Sequence, residues 1–246
     1  MGIAAALVLS LVMVPAPVAQ EYVALGDSYA AGVGTGGTGE CGRSDAAYPR
    51  LWEKAHAPAD FVFAACSGAV VQDVLDGQMA SLSSETTLVT VTVGGNDVGF
   101  VDVMTTCTLS SDRACEQAAG RAGEVIRGEM PGRLGRLLGA VVDRAPAADV
   151  VVLGYPRLFE TGVCVGGLSE AKRAAVNSGA DLLAEVTAEA AAAAGVEFVD
   201  VRGVFAGHGV CGVEPWVHAV TLPVGDSYHP NRLGQGGYFR ALEGAV

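Results

Sequence analysis

The sequence predicts an α/β fold: a three-layer αβα sandwich on a central, mainly five-stranded parallel sheet. Three observations carry this. Five short β-rich runs alternate with helix-like segments over one domain length, which requires crossover connections and a parallel sheet covered on both faces. Hydrophobic residues make up 50% of the 246-residue chain, enough to bury a core of ordinary size. Three polar, glycine-containing turns also follow directly on strands, and open sheets of this kind bind ligands beyond the carboxyl ends of their strands.

Taken in order, the first strand is Tyr22-Val-Ala-Leu25, leading into Gly26-Asp27-Ser28. Phe61 to Ala65 leads into Cys66-Ser67-Gly68. Leu88 to Val93 sets Val89, Val91 and Val93 on one face and meets Gly94-Gly95-Asn96-Asp97. Val150 to Leu153 meets Gly154-Tyr155-Pro156, and Val196 to Val199 meets Asp200. Between the third and fourth strands, residues 116–143 read as helix, loosely broken at Met130-Pro131-Gly132, with Leu137, Leu138, Val141 and Val142 as core positions. Ser169 opens the clearest helix, with Glu170 in its first turn, and Gly195 closes it. A last apolar-periodic run begins near Leu233.

Residues 1–19 carry no charge and run apolar from Ile3 to Val14 before the small-residue stretch Ala16-Pro-Val-Ala19. This reads as the core and cleavage region of a secretory signal peptide, followed by a single domain over 20–246. The usual positive n-region is missing, so the leader is incomplete or its assigned start is wrong. A membrane anchor is the alternative, but about twelve apolar residues are few against the roughly 20 a span needs. Export favours disulfides, and six cysteines form an even set: Cys41, Cys66, Cys107, Cys115, Cys164 and Cys211. None forms a C-x-x-C pair, so a zinc ribbon or thioredoxin-like site has no support. Six cysteines allow fifteen connectivities, of which sequential pairing is the simplest.

The net charge is −12. Lys54 and Lys172 are the only lysines and the arginines are scattered. With no basic patch, nucleic-acid binding is a poor reading. Gly32-Val-Gly-Thr-Gly-Gly37 matches a dinucleotide fingerprint, but no helix opens inside these glycines. No cofactor is expected.

A serine hydroxyl becomes a nucleophile when a histidine, oriented by an acceptor, removes its proton. Of four histidines, His229 sits in Asp226-Ser-Tyr-His229-Pro230, where Asp226 can curl back to Nδ1 and leave Nε2 free. Gly-Asp-Ser-Tyr occurs twice, at 26–29 and 225–228. Ser28 stands at a strand's carboxyl end, whereas Ser227 is too near His229 in sequence to reach Nε2. His56 reads as a solvated surface residue, and His208 and His218 as structural groups without metal-ligand spacing. Asp27 reads as a loop-bracing acceptor. Taken alone, Asn96-Asp97 would be an ordinary turn. The G-x-S-x-G elbow of α/β-hydrolases is absent around both serines.

Together, Gly26-Asp-Ser-Tyr29, Gly68, Gly94-Gly-Asn-Asp97 and Asp226-x-x-His229-Pro230 resemble the four sequence blocks of the SGNH (GDSL) hydrolase family, whose fold is flavodoxin-like. The blocks span nearly all of the chain after residue 19. The cysteine spacing and Ala65-Cys-Ser-Gly68 more narrowly resemble the secreted lipase/esterase branch of actinomycetes. That branch implies sequential disulfides: Cys41–Cys66, Cys107–Cys115 and Cys164–Cys211. The family also implies that Ser28 sits on a mobile turn and attacks the ester carbonyl, with His229 as base and Asp226 orienting the imidazole. In some members a backbone carbonyl two residues before the histidine, here that of Ser227, takes the last role. Ser28 N–H, Gly68 N–H and the Asn96 amide would form the oxyanion hole, each donor worth about 3 kcal/mol of barrier.

The expectation is a secreted, extracellular, metal- and cofactor-independent serine esterase or lipase. It would act as a monomer on a small-molecule ester or lipid, most simply acyl lipids, without nucleic acid or a stable membrane span. The alternatives are a carbohydrate acetylesterase or thioesterase on the same machinery, and an inactive SGNH-fold binding protein. Substrate-pocket walls are expected from the glycine-rich loop after Ser28 and from segments 101–115 and 155–168.

Overall fold

The computed structural model describes residues 19–246. The expected signal peptide therefore lies outside the described residues, apart from Ala19. Five strands form one sheet: β1 (Glu21–Gly26), β2 (Asp60–Phe63), β3 (Leu88–Thr92), β4 (Asp149–Leu153) and β5 (Glu197–Val199). All pair in parallel, in the order β2-β1-β3-β4-β5. The chain steps from β1 outward to β2 and then returns to β1's other side, so β1 and β3 diverge at a topological switch point where a crevice opens. The polar turns after β1 and β3 meet at this crevice.

The strands are short and apolar because both faces are covered. Alternate residues of β1 separate cleanly: Tyr22 and Ala24 join one core cluster, Val23 and Leu25 the other. The first cluster packs against helices α2 (Tyr48–His56) and α8 (Arg232–Glu243) through Trp52, Tyr238 and Leu242. The second packs against α3 (Val71–Asp76), α6 (Met130–Arg144) and α7 (Glu170–Ala194). Three further helices complete the described fold: the four-residue α1 (Ser28–Ala31), α4 (Phe100–Leu109) and α5 (Asp112–Gly128).

Local chemistry sets the helix ends. Ser169 Oγ accepts from the Lys172 N–H at 3.3 Å to start α7, and Gly195 ends it in the left-handed region at φ +71°. The break between α5 and α6 falls at Glu129, just before Pro131, which is tolerated in a first turn. Leu137, Leu138 and Val141 are buried, while Val142 is only partly so. β2 stops at Phe63, two residues before the expected end, because Ala65 already turns toward the Cys41–Cys66 disulfide. Most of the 101–115 segment is helix α4, which runs to Leu109. The cysteines pair as Cys41–Cys66, Cys107–Cys115 and Cys164–Cys211. No helix among the described residues is long and apolar enough to cross a membrane.

The end of β1 is held by an unusual partner. The buried Gln78 side chain accepts from the Gly26 N–H at 2.7 Å and donates to the Gly26 carbonyl at 2.8 Å, standing in for a strand neighbour. Gly26 itself lies at φ +133°, and a Cβ there would stand 2.3 Å from the Thr92 carbonyl oxygen. The Gly26 carbonyl also accepts the Cys66 N–H at 2.9 Å, so Gln78→Ala would leave the Gly26 N–H buried and unpaired, at a cost of about 1–3 kcal/mol. Urea denaturation should register this loss; an unchanged midpoint would mean that water replaces the amide.

Candidate active site

Ser28 is the first residue of α1, immediately after β1. Asp27 caps this short helix, its Oδ1 accepting the Tyr29 N–H at 2.9 Å. The serine therefore stands at the amino end of a capped helical turn and is buried.

His229 arrives from the far end of the chain. Its Nε2 lies 2.8 Å from Ser28 Oγ and its Nδ1 lies 3.1 Å from the Ser227 carbonyl oxygen. A carbonyl can only accept, so Nδ1 carries the proton and Nε2 is left to accept from the serine hydroxyl. The imidazole's loop is pinned by backbone pairing with His218, whose N–H donates to the His229 carbonyl at 2.9 Å. Tyr29, next to the serine, donates its hydroxyl to the Tyr228 carbonyl at 2.6 Å. Among the described residues, the Asp226 carboxylate makes no hydrogen bond to the ring and acts on it only as a nearby charge. Burial pulls His229 below the ordinary histidine value, while the Ser227 carbonyl and the Asp226 charge pull the other way.

Asn96 follows β3 and lines the same crevice as Ser28. Its Nδ2 donates to the Ala69 carbonyl at 3.0 Å, linking it to the turn that contains Gly68. One amide proton remains available. Gly68 is exposed at φ +82°, in a turn fastened through the Cys41–Cys66 disulfide. Among the described residues, neither the Ser28 nor the Gly68 N–H is engaged by a protein acceptor. Asp97 has a different task, accepting the Val71 N–H at 2.9 Å and an Arg133 nitrogen at 3.0 Å.

An apolar slot runs from Ser28 between three helices. Phe100 and Val103 of α4, Ala119 and Ala122 of α5, and Val176 and Gly179 of α7 line it. Of the expected walls, segment 101–115 contributes Val103. The glycine-rich loop contributes nothing to this lining, and segment 155–168 contributes only Tyr155, Pro156 and Leu158. Small side chains facing one another across α5 and α7 leave the space, which cannot be read from either helix alone.

Tyr155 was not singled out by sequence. Its hydroxyl donates to Asp27 Oδ2 and accepts the Gly95 N–H at 3.1 Å. The available signal was its position, since Gly154-Tyr155-Pro156 leaves β4 at the same sheet edge as the three glycine turns. Burial pushes the Asp27 carboxyl up to about 7, against the pull of the Tyr155 and Tyr29 donors. The other histidines have structural contacts. His208 stacks on Trp216 at 3.8 Å, His218 Nε2 meets the Gly34 carbonyl at 2.8 Å, and His56 stacks on Trp52 at 4.2 Å.

Comparison with known proteins gives a consistent picture. A family model described as GDSL-like lipase/acylhydrolase matches residues 24–236. The chain is 49% identical over 234 residues to Lipase 1 of Streptomyces coelicolor, covering 93% of this chain and 87% of that protein. The crystal structure of an extracellular lipase from Streptomyces rimosus superposes with a TM-score of 0.90 at 48% identity, covering 93% of this chain and 100% of that one. Phospholipase A1 from Streptomyces albidoflavus NA297 gives the same TM-score and coverage at 47% identity.

NMR titration of the His229 ring should give a midpoint below the ordinary value of about 6.5. Asp226→Asn should lower it further by removing a nearby negative charge. A midpoint at or above the ordinary value would mean that the Asp226 charge outweighs burial.

Proposed function

Because the chain belongs to the GDSL-like lipase/acylhydrolase family, we propose that it hydrolyses carboxylic esters of acyl lipids through an acyl-enzyme formed on Ser28. The 2.8 Å contact between Ser28 Oγ and His229 Nε2, at the mouth of an apolar slot, carries this reading. His229 Nε2 takes the hydroxyl proton as Oγ attacks the ester carbonyl carbon. The carbonyl oxygen gains the negative charge and is met by the Ser28 N–H, the Gly68 N–H and the free Asn96 amide proton. Collapse of the tetrahedral intermediate expels the alcohol, which receives the proton from His229. Water then repeats the sequence on the acyl-enzyme: His229 takes its proton, and Ser28 leaves with that proton as the acid is released.

Ser227 contributes its backbone carbonyl, which holds the Nδ1 proton and favours the imidazolium. Asp226 adds only longer-range charge stabilisation. The slot between α4, α5 and α7 takes the acyl chain, for which apolar walls supply transfer free energy of about 0.8 kcal/mol per buried methylene. Such a slot favours acyl chains longer than acetyl. The three disulfides and the extracellular relative support secretion. All the proposed catalytic groups come from one chain, so a monomer is a sufficient working unit.

Hydrolysis of p-nitrophenyl esters from acetate to palmitate tests the reading. Ser28→Ala should lose at least about a thousandfold in kcat. Asn96→Ala should lose about a hundredfold. Ser227→Ala, which keeps the backbone carbonyl, should remain active, and Asp226→Asn should lose only a few-fold. A wild-type protein inactive on every chain length, or an active Ser28→Ala, would overturn the proposal.

The slot makes a second prediction. Gly179 lines it, and a Cβ there meets nothing within 4 Å. Gly179→Leu should cut kcat/KM for octanoate by about tenfold or more while leaving acetate within about threefold. Parallel losses on both esters would remove the slot as the acyl site.

A further inference from the structure

Tyr155 occupies a position that the reaction scheme above does not use. Asp27, to which its hydroxyl donates, caps the turn that begins with Ser28. Gly95, whose N–H it accepts at 3.1 Å, immediately precedes Asn96. One hydroxyl therefore joins the residue before the nucleophile to the residue before the proposed oxyanion amide. The two turns leave neighbouring strands that are tied at the sheet by the Asp27 N–H to the Thr92 carbonyl at 2.9 Å. Tyr155 adds a tie farther out, beyond the last strand residue.

Two more features make this tie stiff. Gly95 packs closely against the tyrosine, so that a Cβ on it would stand 3.4 Å from Cζ. The Tyr29 ring also meets Tyr155 in an edge-on arrangement, with centroids 5.0 Å apart. The proton inventory also limits the role: a phenol has one proton, here committed to Asp27, so none is left for a developing oxyanion. Its oxygen is likewise occupied by the Gly95 N–H.

We propose that Tyr155 is a positioning residue that sets Asn96 relative to Ser28, acting through Gly95 on one side and Asp27 on the other. The inference rests on the oxyanion role proposed for Asn96. The residue acts on transition-state alignment more than on substrate affinity, because phenylalanine in its place keeps the ring beside the slot.

A double-mutant cycle on p-nitrophenyl butyrate tests this, with Tyr155→Phe, Asn96→Ala and the double variant measured alongside wild type. Alone, Tyr155→Phe should lower kcat by about tenfold with KM within about twofold. On the Asn96→Ala background, the same substitution should cost less than about twofold, because the group it aligns is gone. Equal fold losses on both backgrounds would overturn the positioning role, since they would show an effect independent of Asn96. An Asn96→Ala variant with wild-type kcat would instead overturn the oxyanion reading beneath it. If Tyr155→Phe yields no folded protein, Asp27→Asn serves in the same cycle. It keeps the acceptor for the Tyr29 N–H but presents a donor where the tyrosine proton needs an acceptor.

Discussion

A hydrogen bond between Ser28 and His229 joins residues 201 positions apart, and its geometry is only as reproducible as the scaffold behind it. Parallel pairing of β1 with β3 supplies the first support, since it delivers the Ser28 turn and the Asn96 turn to one edge of the sheet. The histidine comes from outside the sheet and needs its own anchors. Tyr29 reaches from α1 to the Tyr228 carbonyl. Gln235 of α8 accepts from the Tyr48 N–H at 2.9 Å and donates to the Tyr29 carbonyl at 3.0 Å. These buried side-chain links connect α1, α2, α8 and the histidine loop. Each would cost more to leave unmade than it contributes when formed.

The same burial acts on two titratable groups in a useful direction. It favours the neutral imidazole of His229, the form that accepts a proton, and it disfavours charge on Asp27. The two groups are then treated differently by their neighbours. His229 receives a single backbone acceptor at Nδ1, which directs the other nitrogen at the serine. Asp27 receives donors on both carboxylate oxygens and holds the turn beneath the serine. Asp27 is thus a brace beside Ser28, with both carboxylate oxygens engaged by Tyr29 and Tyr155.

Polar and apolar parts of the crevice have separate structural origins. Hydrogen-bonding groups come from turns at the sheet edge, where backbone N–H groups emerge without strand partners. The apolar slot comes from helices α4, α5 and α7 beside that edge. The Cys107–Cys115 disulfide joins the end of α4 to the start of α5, and Cys41–Cys66 fastens the Gly68 turn. Both cross-links therefore act close to surfaces whose separation matters. Changes to the helical walls can alter the shape of the slot while leaving the groups at the sheet edge in place.

Much of this was legible without coordinates wherever the governing chemistry is local. The limits of α7 follow from a serine cap and a left-handed glycine, and the strands from short apolar runs ending in polar turns. Ser28, Gly68, Asn96 and His229 were legible because family-like blocks mark them in order. The residues alone left the disulfide pairing among fifteen choices. They also left open whether the Asp226 side chain or the Ser227 carbonyl faces Nδ1. That orientation depends on the turn through Tyr228, at φ +62°, and on the packing that holds it. The α5 and α7 walls of the slot were not legible, because alanine and glycine on these helices mark a space only when the two stand opposite each other. Tyr155 escaped for a related reason: its partners lie 128 and 60 residues away. The sequence by itself determined the local elements and the reactive residue types. Tertiary structure decided directions, distances and empty space, because these are relations between segments that meet only when the sheet closes.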